Sequence, residues 1–325
     1  MAAELEYQLT GRARGHSLAP MRIVALSCLM LASAAAQTPM KSGPPLPMKL
    51  VENWAQLPAG WNLGECTGVT CDRDDNVWIF NRGPHPVIQL DRNGKFLKAW
   101  SEVPIKSAHG LRVDPQGDVW GIDVAGHMVI KFSLDGRVKL VLGNVGNRPA
   151  ENNDEKYAFN RPTSVTFDTE GNFYVSDGYE NSRVVKYSKE GDYIKQWGIK
   201  GPGDGQFNLV HDVVFDSAQR LYVADRANNR VQIFDRDGKW LGKWTGLGQP
   251  WGLAYSKKDN TIYMCDGENN RIVKVNLDGQ LLGQIGKFGK APGRLDFPHH
   301  MAMDSRGALY VAEVKNWRVQ KWVPE

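Results

Sequence analysis

Residues 162–198, PTSVTFDTEGNFYVSDGYENSRVVKYSKEGDYIKQWG, hold four short strand-like runs separated by an Asp-led turn, a polar Asn-x-Arg turn and a Glu-Gly hairpin. Apolar alternation with period two marks half-buried strands, and glycine at the turns supplies the positive φ of tight hairpins. The following segment, VHDVVFDSAQRLYVADRANNRVQIFDRDGKWLGKWTG at 210–246, repeats the same order. Six copies can be laid out in this way: residues 64–100, 106–143, 161–198, 209–246, 249–286 and 297–325. Four strands per repeat of roughly forty residues is the period of a propeller blade. Period-two patterning and hairpin dipeptides exclude a stack of two-helix repeats.

The chain is therefore expected to be all-β, a six-bladed β-propeller. The sixth copy ends after its third strand, near Trp322. KLVENW at 49–54 resembles the fourth strands FLKAW (96–100) and YIKQW (193–197). An N-terminal strand in that place would complete the last blade and remove an exposed sheet edge. Over nearly all of residues 49–325 the repeats resemble those of the NHL family.

Composition sets outer limits. The 325 residues carry a formal net charge of +4, without the clustered Lys and Arg of a nucleic-acid binder. No stretch offers the roughly 20 apolar residues of a membrane-spanning helix. Arg22, the apolar run from Ile23 to Leu31 and the small residues Ala32 to Ala36 have the order of a secretory signal. The expected layout is a signal peptide at 1–36, with Met21 as a possible start, a flexible proline-rich leader at 37–48, and the propeller at 49–325. A nearly neutral, secreted or periplasmic monomer follows. Cys66, Cys71 and Cys265 remain after cleavage. Their odd number and spacing fix no pairing and match no zinc ribbon, so they read as structural.

The first strand of each blade lines the channel. Counting five residues back from its terminal anchor (Asp72, Asp114, Asp168, Asp216, Ser256, Asp304) gives Thr67, His109, Thr163, His211, Trp251 and His299. Histidine thus falls on blades two, four and six. Alternate blades of a six-fold ring would bring three imidazoles onto the axis, the donor set of a catalytic zinc site with an open fourth position. Three unrelated histidines bonded to backbone carbonyls is the competing reading. The turns between second and third strands add Arg82, Tyr179 and Arg226, which should open on the same face. Arginine forks onto a carboxylate, and a tyrosine between guanidiniums is a plausible base. Together these residues outline a small anionic ligand on a metal. His85 and His127 read as structural or peripheral, and the Asn-Arg pairs at 229–230 and 270–271 as turn architecture.

More specific blocks are Arg82-Gly83, His109-Gly110-Leu111, Asp123-Val124-Ala125 with His127, Pro162-Thr163, VSDGYENSR at 175–183, GQFN at 205–208 ahead of His211, VADRANNRVQ at 223–232, and Phe297-Pro298-His299. In these the chain resembles the peptidyl-α-hydroxyglycine α-amidating lyases. The resemblance implies zinc on His109, His211 and His299, with Arg82, Tyr179 and Arg226 around the substrate and the tyrosine as base. It also implies cleavage of an α-hydroxyglycine into an amide and glyoxylate. The sequence departs from that family where an acidic calcium ligand would follow the third histidine, because His300 stands there. Glu180 replaces a cysteine after the tyrosine, and no monooxygenase domain is present in the sequence. The rival expectation is a non-catalytic exported NHL propeller that binds a peptide, glycan or protein on its channel face.

Overall fold

A computed structural model describes residues 39–143 and 149–325. The expected signal at 1–36 lies outside the described residues. Six four-stranded antiparallel sheets follow one another along the chain. Their innermost strands are Cys66–Cys71, Ala108–Val113, Pro162–Phe167, Val210–Phe215, Pro250–Ser256 and Pro298–Met303. Each packs against the next, and the last against the first, so the ring is closed.

The repeat signature has a physical basis in every blade where it is complete. Asp72, Asp114, Asp168, Asp216 and Asp304 each accept a hydrogen bond of 2.9–3.1 Å from an aromatic six residues on: Trp78, Trp120, Tyr174, Tyr222 and Tyr310. The bond satisfies the polar tip of a side chain whose body is buried between blades. The Asn-x-Arg turns work in the same way. Arg183, Arg230, Arg271 and Arg318 donate to the buried carboxylates of Asp177, Asp225, Asp266 and Glu313 at 2.6–3.0 Å. Six apolar clusters, one between each pair of neighbouring blades, make up the core.

The N-terminal strand closes the sixth blade. Met48–Val51 pairs antiparallel with Arg318–Pro324, Leu50 opposite Trp322. It stops short of the expected Trp54, because Asn53 takes a left-handed φ of 52°. Trp54 turns inward and packs on Tyr310 at 5.0 Å. A correction concerns the preceding leader, expected to be loose. The Lys41 N–H donates to Gly246 O, Leu46 N–H to Gln284 O, and Gln284 N–H to Pro44 O, at 2.8–3.0 Å. Residues 41–46 thus cover the outer edge of the fifth blade, through backbone groups that leave no side-chain pattern. Cys66, Cys71 and Cys265 are free thiols, two of them fully buried.

Candidate metal centre

Every innermost strand slips register by one residue where the aligned channel position falls. Such a bulge re-aims side chains that would otherwise alternate with the pleat. In blades two, four and six the bulge holds His109-Gly110, His211-Asp212 and His299-His300. The rings of His109, His211 and His299 meet on the channel, with centroids 4.6–4.8 Å apart. Their candidate ligand nitrogens lie within 4.8 Å of one another, and all three residues are buried.

Each ring is oriented by the neighbouring blade. The Nδ1 of His109 bonds to Thr163 O at 2.7 Å, that of His211 to Trp251 O at 2.5 Å, and that of His299 to Thr67 O at 2.6 Å. A carbonyl only accepts, so each Nδ1 carries its proton and each Nε2 presents a lone pair. Burial is the main cause that pushes all three imidazoles well below their ordinary range, and neighbouring histidines and the charges of Arg82 and Arg226 add to it. Three neutral, convergent nitrogens of fixed tautomer fit a divalent metal such as zinc. Gly110 makes the blade contact possible: a Cβ there would lie 2.5 Å from Thr163 O, the acceptor for His109.

The turn residues gather on the open side of this triad. Tyr179 Oη sits 3.3 Å from His109 Nε2 and 3.2 Å from His211 Nε2. Arg226, carried by the helical turn Arg226–Asn228, donates to the same hydroxyl at 3.4 Å. Its guanidinium lies 3.6 Å over the Trp251 ring, which fixes its plane. Arg82 is further out and half-exposed. It donates to Ala108 O at 3.2 Å and pairs with Glu65 at 2.6 Å. His109, His211, His299, Tyr179 and Arg226 therefore lie together, and Arg82 stands outside them, bonded to Ala108 next to His109.

Several contributors escaped the sequence reading. Arg161 stands 4.7 Å over the Tyr179 ring, and its N–H donates to His127 Nδ1 at 3.1 Å. His127 is thus a support for the residue beside the tyrosine. Beneath the triad, His300 is fully buried with its ring 4.7–5.8 Å from those of His299, His109 and His211. Arg112 reaches across the channel from blade two to both carboxylate oxygens of Asp212 in blade four, at 2.8 Å. That ion pair and the His300 ring lie in the channel next to the metal centre. They do not fit a calcium ion, because Arg112 already neutralises the carboxylate there. Two lone ionisable residues inside apolar strand patterns, HGLRV and HDVVF, were the available signal. His85 stacks on Trp61 at 3.4 Å, away from the triad.

The comparisons agree with this architecture. The model of the SMP-30/gluconolactonase/LRE-like region matches residues 148–325. NHL repeat-containing protein 3 of Homo sapiens is 32% identical over 270 residues, covering 76% of this chain and 76% of that protein. Peptidyl-alpha-hydroxyglycine alpha-amidating lyase 1 of Drosophila melanogaster is 29% identical over 80% of this chain and 57% of its own length. Among solved structures, a streptogramin B lyase superposes with a TM-score of 0.61 at 15% identity, covering 86% of this chain and 98% of that one. At that identity the likeness concerns the fold alone. By the family match and by its likeness to NHL repeat-containing protein 3, the chain belongs to the NHL-repeat propellers of the SMP-30/gluconolactonase/LRE-like family.

Proposed function

We propose that this propeller is a metal-dependent carbon–nitrogen lyase that cleaves an α-hydroxyglycine-type substrate into an amide and glyoxylate. The observation that carries the reading is the Tyr179 hydroxyl, held within 3.2–3.3 Å of two inward-facing Nε2 atoms and within 3.4 Å of Arg226. A phenol aimed at a convergent histidine triad is costly to build for binding alone. The similarity to a protein named as a peptidyl-α-hydroxyglycine α-amidating lyase supports the choice of substrate.

His109, His211 and His299 would hold a zinc-like ion, which supplies Lewis acidity toward the substrate hydroxyl when bound. The chain's own groups do the rest. Arg226, its plane fixed on Trp251, binds the substrate carboxylate on the side where Tyr179 stands. Arg82 donates to the acyl end from the opposite blade. Tyr179 accepts the hydroxyl proton, standing between the guanidiniums of Arg161 and Arg226. The oxygen electrons form the aldehyde carbonyl, the C–N pair moves to nitrogen, and the nitrogen takes back the proton held by Tyr179 to give the amide. No oxidant or co-reactant is consumed.

The test is glyoxylate release from an N-acyl-α-hydroxyglycine, followed with measured metal content. Tyr179→Phe should retain metal and lose about 10²–10⁴-fold in kcat, the usual range for a positioned base. If metal-loaded protein is inert yet binds carboxylate ligands, the lyase reading fails and the binding propeller takes its place.

A further inference from the structure

A second recess opens on the rim of the same face, and it holds about 470 Å³. Its walls include Trp61, Glu65, Arg82, Pro84, His85 and Trp317. Three separate parts of the chain meet here: the connection into blade one, the blade-one turn and the blade-six turn. Two of these walls are tryptophans, Trp61 half-buried and Trp317 exposed.

Trp317 is 59% exposed and adopts φ +50°. The equivalent positions of blades two, four and five hold His127, Asn229 and Asn270, at φ 59°, 52° and 55°, and of these four residues Trp317 alone is a large exposed apolar side chain. Asparagine tolerates this left-handed conformation, whereas a bulky side chain is strained in it. An exposed indole kept in strained backbone serves neither packing nor the turn. Such outliers cluster where a ligand is clamped. Trp61, on the same recess, is held by its neighbours: its ring stacks on His85 at 3.4 Å and 12°, and meets the edge of Phe96 at 5.4 Å. Arg82 belongs to both the recess and the site, since its Nε holds the carbonyl of Ala108, the residue before His109.

We infer that the recess is the subsite for the acyl end of the substrate and takes a flat aromatic group. This inference deepens the lyase reading and rests on it for the position of the scissile bond. Arg226 and Arg82 lie on opposite blades, four and one. A substrate held by its carboxylate at Arg226 therefore extends its acyl group past Arg82 into the recess that Trp61 and Trp317 help to line. The chemistry recognised is an N-aroyl group, or a peptide whose residue next to the hydroxyglycine is aromatic. Glu65, paired with Arg82 at 2.6 Å, gives up that partner when the acyl carbonyl arrives.

The experiment compares N-benzoyl- with N-acetyl-α-hydroxyglycine on wild type and on Trp317→Asn, the residue blades four and five already use. That variant should fold at least as stably as wild type. Wild type is expected to favour the benzoyl substrate by about tenfold or more in kcat/KM, as an apolar subsite does for several carbons. Trp317→Asn should lose most of this preference through a higher KM for the benzoyl substrate, so that the benzoyl-to-acetyl ratio of kcat/KM falls toward one. Equal use of the two substrates by wild type, or an unchanged preference in the variant, overturns the inference. If neither substrate is cleaved, the lyase reading has failed, and the recess is judged by calorimetric binding of N-benzoylglycine. Weaker binding to Trp317→Asn than to wild type then supports an aromatic subsite, and equal binding overturns it.

Discussion

The even and odd blades of this propeller do different work at one and the same position. Blades two, four and six put an imidazole into the channel; blades one, three and five answer with a backbone carbonyl at Thr67, Thr163 and Trp251. All six innermost strands carry the same bulge there. Side-chain identity therefore matters on the even blades, while on the odd blades the position of the backbone matters. A six-fold scaffold becomes a three-fold ligand set because each histidine is clamped by its neighbour.

The severest way to break the comparison is on an even blade. His211→Ala removes one of three donors and leaves the channel open toward Trp251. Its affinity for zinc should fall by more than about 100-fold, the upper range for an outer-shell partner. Metal retained after dialysis reads this directly. Next comes the contact that joins an even blade to an odd one. Gly110→Ala places a methyl 2.5 Å from Thr163 O. The displaced carbonyl should cost about 10–100-fold in metal affinity, with the ligands all intact.

Acid should expose the same arrangement in metal-free protein. His109, His211, His299 and His300 are held well below the ordinary histidine range, first of all by burial. Their folded pKa values are depressed, so below about pH 6.5 the unfolded chain binds protons that the folded chain refuses. Stability should be level above that pH and fall beneath it, by up to about 1.4 kcal/mol per pH unit for each imidazole. Denaturant midpoints across pH 5–8 check the sign, and bound zinc should deepen the loss on acidification because protons displace it. The smallest effect belongs to an odd blade. Thr67→Val keeps the carbonyl that orients His299, and zinc affinity should stay close to that of wild type.

The blades and the phase of the histidines were legible in sequence because both repeat. The anchoring aspartates mark the strand ends, and a count of five from each finds His109, His211 and His299 without any contact information. What stayed hidden has no repeat and no local partner. The acceptors of the three Nδ1 atoms are backbone carbonyls, which every residue has. Arg112 and Asp212 are 100 residues apart and meet only once the ring closes. Arg161 reaches Tyr179 from its place just before an innermost strand, and residues 41–46 bind through backbone atoms. Trp317 was hidden differently: its strangeness is a dihedral angle, visible only beside Asn229 and Asn270.

The three even-blade histidines are expected to hold one divalent metal together, each through Nε2. Diffraction from zinc-loaded crystals, recorded on either side of the zinc absorption edge, tests it most directly. The expected result is a single strong anomalous peak on the channel axis, bonded to Nε2 of His109, His211 and His299 at about 2.0–2.1 Å and facing Tyr179. A channel without that peak, or zinc held elsewhere at full occupancy, would contradict it.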